Sequence, residues 1–130
     1  MKRILFVCVE NAGRSQMAEA FARFYGKGGV EVESAGTMPG GQVNPIVVQV
    51  MKEKGLDISN NRPKALDFKL AEKADKIITM GCSVEEYCPA PMLKKAVDWG
   101  LADPKGKQVE EVRRIRDEIE RRIVQLMNEL

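Results

Sequence analysis

At 130 residues the chain has the length of one domain and can bury a core without disulfides or metals. Hydrophobic residues at 44% and charged residues at 31% describe a globular chain rather than a disordered one, and no apolar run approaches the ~20 residues that cross a bilayer. Lys and Arg number 21 against 19 Asp and Glu, so no global field favours nucleic acid or an anionic membrane, and histidine, the commonest general base and metal ligand, is absent. Chemistry must therefore run on Cys, Arg, Asp and Lys. The first apolar run, residues 4–7, is too short for a signal-peptide core, and the cytoplasm is the expected compartment. There, three cysteines argue against a static disulfide framework and for reactive thiols.

Residues 4–7 predict a buried strand, and a helix follows from Arg14, with Met17, Phe21 and Phe24 as its apolar stripe and an end near Gly26. Residues 30–34 alternate like a second strand, and 35–41 read as a loop. Asn44 caps a second helix with Pro45 at its first position, carrying Val47, Val50 and Met51 and stopping at Gly55. Asp67 caps a short helix through Ala74, after which residues 76–80 form a third strand and 96–98 a short fourth. The last helix starts near Val109 and lines Val112, Ile115, Ile119, Ile123, Leu126 and Leu130 along one face. Its arginines, 113, 114, 116, 121 and 122, interleave with Glu110, Asp117 and Glu118 and predict a solvated, salt-bridged face. Strands alternating with helices favour one α/β domain over residues 1–130, with a parallel sheet covered on both sides and ligands at the carboxyl ends of its strands.

Directly after the first strand stands Cys8-Val9-Glu10-Asn11-Ala12-Gly13-Arg14-Ser15, a C-x5-R-S pattern that runs into the first helix. Five residues between Cys and Arg let a loop curl until the backbone N–H groups of Val9, Glu10, Asn11, Ala12, Gly13 and Arg14 converge on one point, a cradle for a tetrahedral oxyanion at a helix N-terminus. Arg14 adds a planar fork for two oxygens. Ser15 can donate to the Cys8 sulfur, and Asn11 can brace the loop from inside.

Cys8 to Ser15, continued by Gln16-Met17-Ala18-Glu19, resembles the nucleophile loop of the low-molecular-weight tyrosine phosphatases and of the arsenate reductases that share their fold. The similarity extends through Ser34-Ala35-Gly36, Val43-Asn44-Pro45, Asp57-Ile58-Ser59, Asp103-Pro104 and Arg116-Asp117-Glu118, nearly the whole chain. The resemblance implies a four-stranded parallel sheet with helices on both faces. It makes Cys8 the nucleophile and Asp103 the general acid, carried on a loop over the oxyanion site, with proline fixing the backbone beside it.

Such a loop and acid serve phosphate ester hydrolysis or arsenate reduction alike, since the two anions share charge and shape. Cys82 and Cys88, in the segment that follows the third strand, favour the reductase: one thiol resolves the Cys8–arsenic adduct and the other moves the disulfide outward, toward thioredoxin or a similar thiol–disulfide protein. A helical 82–88 would hold the two thiols too far apart to bond, so that segment is expected to unwind on oxidation. The expected ligand is arsenate, with phosphate or sulfate as mimics. No cofactor, no structural metal, no nucleic acid or membrane partner and a monomeric state are expected. Potassium-stabilised relatives carry an Asp where this chain has Lys64, which is expected to supply the positive charge beside Asn11, Glu19 and Ser34.

The alternative is a low-molecular-weight tyrosine phosphatase that hydrolyses phosphate monoesters through a Cys8 phosphocysteine. Against it, Asp103-Pro104 is followed by Lys105-Gly106-Lys107 rather than an aromatic residue, and residues 37–43 offer no Trp or Tyr wall. A non-catalytic oxyanion-binding or redox-sensing module is a third class, disfavoured by the presence of Arg14, Ser15 and Asp103 together.

Overall fold

The computed structural model describes residues 2–80 and 96–130. Its strands are β1 (Lys2–Cys8), β2 (Val30–Gly36), β3 (Lys76–Thr79) and β4 (Ala96–Asp98), and its helices α1 (Arg14–Gly26), α2 (Pro45–Lys52), α3 (Phe68–Lys73) and α4 (Val109–Glu129). The strands form one parallel sheet in the order β2-β1-β3-β4. β1 lies inside it, flanked by β2 and β3, and its last five residues, Ile4 to Cys8, are buried on both faces, as a parallel strand between helical layers must be.

Alternation along β1 divides the core. Ile4, Phe6 and Cys8 face the larger cluster, built from Met17 and Phe21 of α1, Val47 and Met51 of α2, and Ile119 and Ile123 of α4. Leu5 and Val7 face a smaller one with Ala71 of α3, Ala74 and Ile77. Helices thus cover both faces of the four-stranded parallel sheet, as expected. Ile119 and Ile123 are fully buried, and truncating either to alanine would cost about 2–5 kcal/mol.

Local signals account for the helix ends. Asn44 Oδ1 accepts from the Ile46 amide at 2.9 Å and Pro45 opens α2; Asp67 Oδ1 accepts from the Lys69 amide at 2.8 Å to start α3. Gly55, at φ 77°, turns the chain left-handed after α2.

Several boundaries and faces differ from expectation. β2 runs on to Gly36, because Ala35 pairs with Val7 and Gly36 with Cys8, where the composition read as loop. β3 stops at Thr79, although the Met80 amide still reaches Val7 O at 3.1 Å. Phe24 is 57% exposed: the buried stripe of α1 centres on Ala18, Phe21 and Ala22 and continues to Tyr25, leaving Phe24 on its flank with its ring edge-on to Tyr25. Leu130, beyond the end of α4, is exposed. The arginine face is only partly solvated. Arg116 is buried, donating to Val50 O at 3.0 Å and to Glu53 Oε1 at 2.7 Å, and Arg113 joins Glu53 as well, so these two tie α4 to the end of α2. Arg114, Arg121 and Arg122 pair along the helix with Glu111 and Glu118.

Candidate active site

Cys8 ends β1 and Arg14 begins α1, so the five intervening residues turn across the carboxyl edge of the sheet. The carbonyls of Cys8, Val9, Glu10 and Ala12 are taken by the segment that follows β2. Thr37 N–H donates to Cys8 O at 3.1 Å, Met38 N–H to Val9 O at 2.8 Å, Gly40 N–H to Glu10 O at 2.9 Å and Asn44 N–H to Ala12 O at 2.8 Å. In a trans peptide the N–H points opposite the C=O, so fixing these carbonyls outward turns the amides of Val9, Glu10, Asn11 and Gly13 inward. The Asn11 amide reaches Cys8 Sγ at 3.2 Å. Gly36 makes the packing possible, since a Cβ there would lie 2.6 Å from Val9 O and 3.0 Å from Asn11 N.

Asn11 sits at φ 53°, a conformation Asn tolerates better than most residues, and its side chain is fully satisfied. Oδ1 accepts from Lys64 N–H at 2.8 Å and Gln16 Nε2 at 3.0 Å; Nδ2 donates to Ser15 Oγ at 2.7 Å and Ser34 Oγ at 3.0 Å. Ser15 Oγ stands 2.9 Å from Cys8 Sγ, and Ser34 Oγ hydrogen-bonds Glu19. Glu19 is buried and pairs with Arg23 at 2.7 Å and with Lys64 Nζ at 3.1 Å, so an ammonium stands at the carboxylate.

Arg14 is buried beneath the mouth. Its Nη1 donates to Met80 O and Leu101 O, both at 2.9 Å, which locks the guanidinium to the end of β3 and to the chain leading to Asp103. Nη2 lies 3.7 Å from Asp103 Oδ2. One arm of the expected fork is thus held by backbone, leaving the Nε–Nη2 edge for any anion. Asp103 is half exposed and accepts the Lys105 amide at 3.0 Å. Cys8, Val9, Arg14, Met38, Asp103 and Lys105 are among the residues around an open cavity of about 480 Å³. A larger one, about 640 Å³, lies at the far end of the strands beside Arg3, Glu31 and Lys73.

The expected site residues Cys8, Arg14, Ser15 and Asp103 and the loop from Val9 to Gly13 therefore converge at one sheet edge. Cys82 and Cys88, with the unwinding expected of their segment, lie outside the described residues. Sequence reasoning missed Gln16, which is fully buried and links Asn11 to Asn61 and Arg62; its one signal was a polar residue in the first turn of α1, beside the buried Met17. It also missed the partnership of Glu10 with Lys105, 3.3 Å apart but far apart in the chain.

A buried thiol at a strand end, a loop of inward amides and an arginine at the helix start meet at one point on the carboxyl edge of a parallel α/β sheet. Residues 3–130 match the family model "Low molecular weight phosphotyrosine protein phosphatase", and the chain belongs to that family. A putative arsenate reductase of Halobacterium salinarum is 43% identical over 129 residues, covering 95% of this chain and 89% of its own. Among solved structures, an arsenate reductase in the phosphate-binding state has a TM-score of 0.89 at 34% identity, covering 99% of this chain and 98% of that one. An arginine phosphatase of Geobacillus stearothermophilus has a TM-score of 0.87 at 31% identity, covering 99% and 92%.

Proposed function

We propose that this protein reduces arsenate to arsenite with Cys8 as nucleophile. The observation that carries the reading is the environment of the Cys8 sulfur: it meets the Asn11 amide and the Ser15 hydroxyl in a loop of inward amides, with Arg14 and Asp103 at the mouth. The thiolate is the attacking form of a cysteine. Arsenate sits on the amides of Val9 to Arg14 and on the free edge of Arg14. Cys8 attacks arsenic, one oxygen leaves as water with a proton from Asp103, and a Cys8–arsenic bond results.

Cys82 then attacks Cys8 Sγ. The sulfur–sulfur bond forms, the electron pair of the sulfur–arsenic bond passes to arsenic, and arsenic falls from the +5 to the +3 state and leaves as arsenite. Cys88 attacks Cys82, frees Cys8 and leaves a Cys82–Cys88 disulfide for a thioredoxin-type dithiol to reduce. The similarity to arsenate reductases over nearly the whole chain and the two thiols beyond β3 support this order of events.

Phosphate monoester hydrolysis is the competing reading, since the family's description and the arginine phosphatase likeness rest on the same cradle. Arsenate-dependent NADPH consumption with thioredoxin and its reductase separates the two. Turnover abolished in Cys8→Ser, Cys82→Ser and Cys88→Ser alike is the expected result. Brisk ester hydrolysis indifferent to Cys82 and Cys88, without arsenate turnover, would make the protein a phosphatase.

A further inference from the structure

The nucleophile loop touches the acid loop at two places. A Cβ built on Gly13 would lie 2.8 Å from Pro104 Cγ, so the ring of Pro104 occupies the notch that glycine leaves. Glu10, two residues after the nucleophile, reaches Lys105 Nζ at 3.3 Å across the mouth. The acid loop is itself a tight turn: Lys105 N–H closes on Asp103 Oδ1, Lys107 N–H donates to Pro104 O at 3.1 Å, and Gly106 takes φ 74°. A turn this short moves nearly as one body, so what seats Pro104 and Lys105 also aims the Asp103 carboxyl. Neither Gly13 nor Glu10 needs its side-chain identity for the cradle, which uses only their backbone amides.

We propose that Gly13 and Glu10 are positioning residues for Asp103: the notch that receives Pro104 and the Glu10–Lys105 ion pair hold the acid over Cys8. This rests on Asp103 acting as the proton donor in the reaction proposed above. General acid catalysis contributes about 10²- to 10⁴-fold, and a displaced acid forfeits part of it. The exposed ion pair is the weaker contact and is screened by salt.

A double-mutant cycle tests the assignment. Gly13→Ala is expected to lower kcat about 10- to 100-fold while KM changes less than about threefold, and to cost less than about threefold in an Asp103→Asn background. Glu10→Gln, on the exposed rim, is expected to lower kcat about two- to fivefold, again only when Asp103 is present, and high salt should reduce the difference. Equal losses in both backgrounds, or losses confined to KM, would overturn the proposal. Should Gly13→Ala fail to fold, Glu10→Gln and Pro104→Ala carry the cycle. The cycle is run on arsenate and, separately, on p-nitrophenyl phosphate. Native turnover of the ester alone would sink the reductase reading and leave the positioning test intact, whereas inactivity on both would overturn the two together.

Discussion

The Asn11 side-chain amide donates to Ser15 Oγ at 2.7 Å, which leaves the Ser15 hydrogen free to turn toward Cys8 Sγ. The orientation of the amide is forced, because the backbone N–H of Lys64 can only donate and therefore meets Oδ1. With its oxygen accepting from Asn11, the Ser15 hydroxyl stands 2.9 Å from Cys8 Sγ and can donate to it. On the other side Ser34 does the same toward Glu19. One asparagine thus holds two hydroxyls, one against a sulfur and one against a carboxylate. Ser15→Ala is expected to lower kcat about 10- to 100-fold, in line with about 1.5–3 kcal/mol for a hydrogen bond to a charged group. The thermal midpoint should move only a few degrees. Unchanged turnover in that variant would remove Ser15 from the reaction.

Gly36 offers a test of the cradle that leaves every cradle side chain in place. An alanine Cβ there would press on Val9 O at 2.6 Å and on Asn11 N at 3.0 Å, both backbone atoms, so the loop itself must move. The Asn11 amide would then leave Cys8 Sγ, and the amides would no longer converge. Gly36→Ala is expected to weaken phosphate binding at least about tenfold by titration calorimetry, since charge-assisted contacts to several amides are lost together. Native affinity in that variant would mean that the loop does not hold the anion.

Much of this was legible in the sequence, for reasons that differ by element. Asn44-Pro45 and Asp67 wrote their helix starts locally, and residues 4–7 announced a buried strand by composition. Cys8 and Arg14 were readable because five residues and a helix start fix their relation without distant contacts. What the sequence hid was tertiary. The extension of β2 to Gly36 depends on pairing with Cys8, and the capture of one arm of Arg14 depends on carbonyls at positions 80 and 101. The inward turn of Arg116 depends on Val50 O and Glu53, so an i, i+4 pattern read as solvated concealed a helix–helix tie.

Lys64 stands where its charge can be tested through stability. Glu19 is buried at the end of the Asn11–Ser34 chain, and Lys64 Nζ, on a half-exposed side chain, shares it with Arg23. Removing the ammonium leaves a buried carboxylate with one cation instead of two. Because Lys64 is partly solvated and Arg23 remains, Lys64→Met is expected to cost about 1 kcal/mol, well under the loss for breaking an isolated buried pair. That corresponds to roughly 3–5 °C in the thermal midpoint for a chain of this size. Lys64→Arg should retain most of it. A midpoint unaffected by Lys64→Met would show that Arg23 and Ser34 suffice for Glu19.

The tie between α2 and α4 should appear in the acid limb of unfolding. Hydrogen bonds from Arg113 first, then from Arg116, hold the Glu53 carboxyl down at about 2, against an ordinary value near 4.5. A carboxylate depressed in the folded state contributes stability that is complete above the unfolded value and is lost as pH falls through the folded one. The urea midpoint should therefore decline as pH drops from about 4.5 to about 2. Glu118, likewise held at about 2 chiefly by Arg121, adds to the same window. Glu53→Gln is expected to lower the midpoint at pH 7 and to flatten the decline below pH 4.5, leaving the parts of Glu118 and of Asp57, whose carboxyl is lowered by hydrogen bonds from Ser59. A variant whose acid limb kept the native slope from a lower starting point would show that Glu53 binds its arginines without linking them to folding.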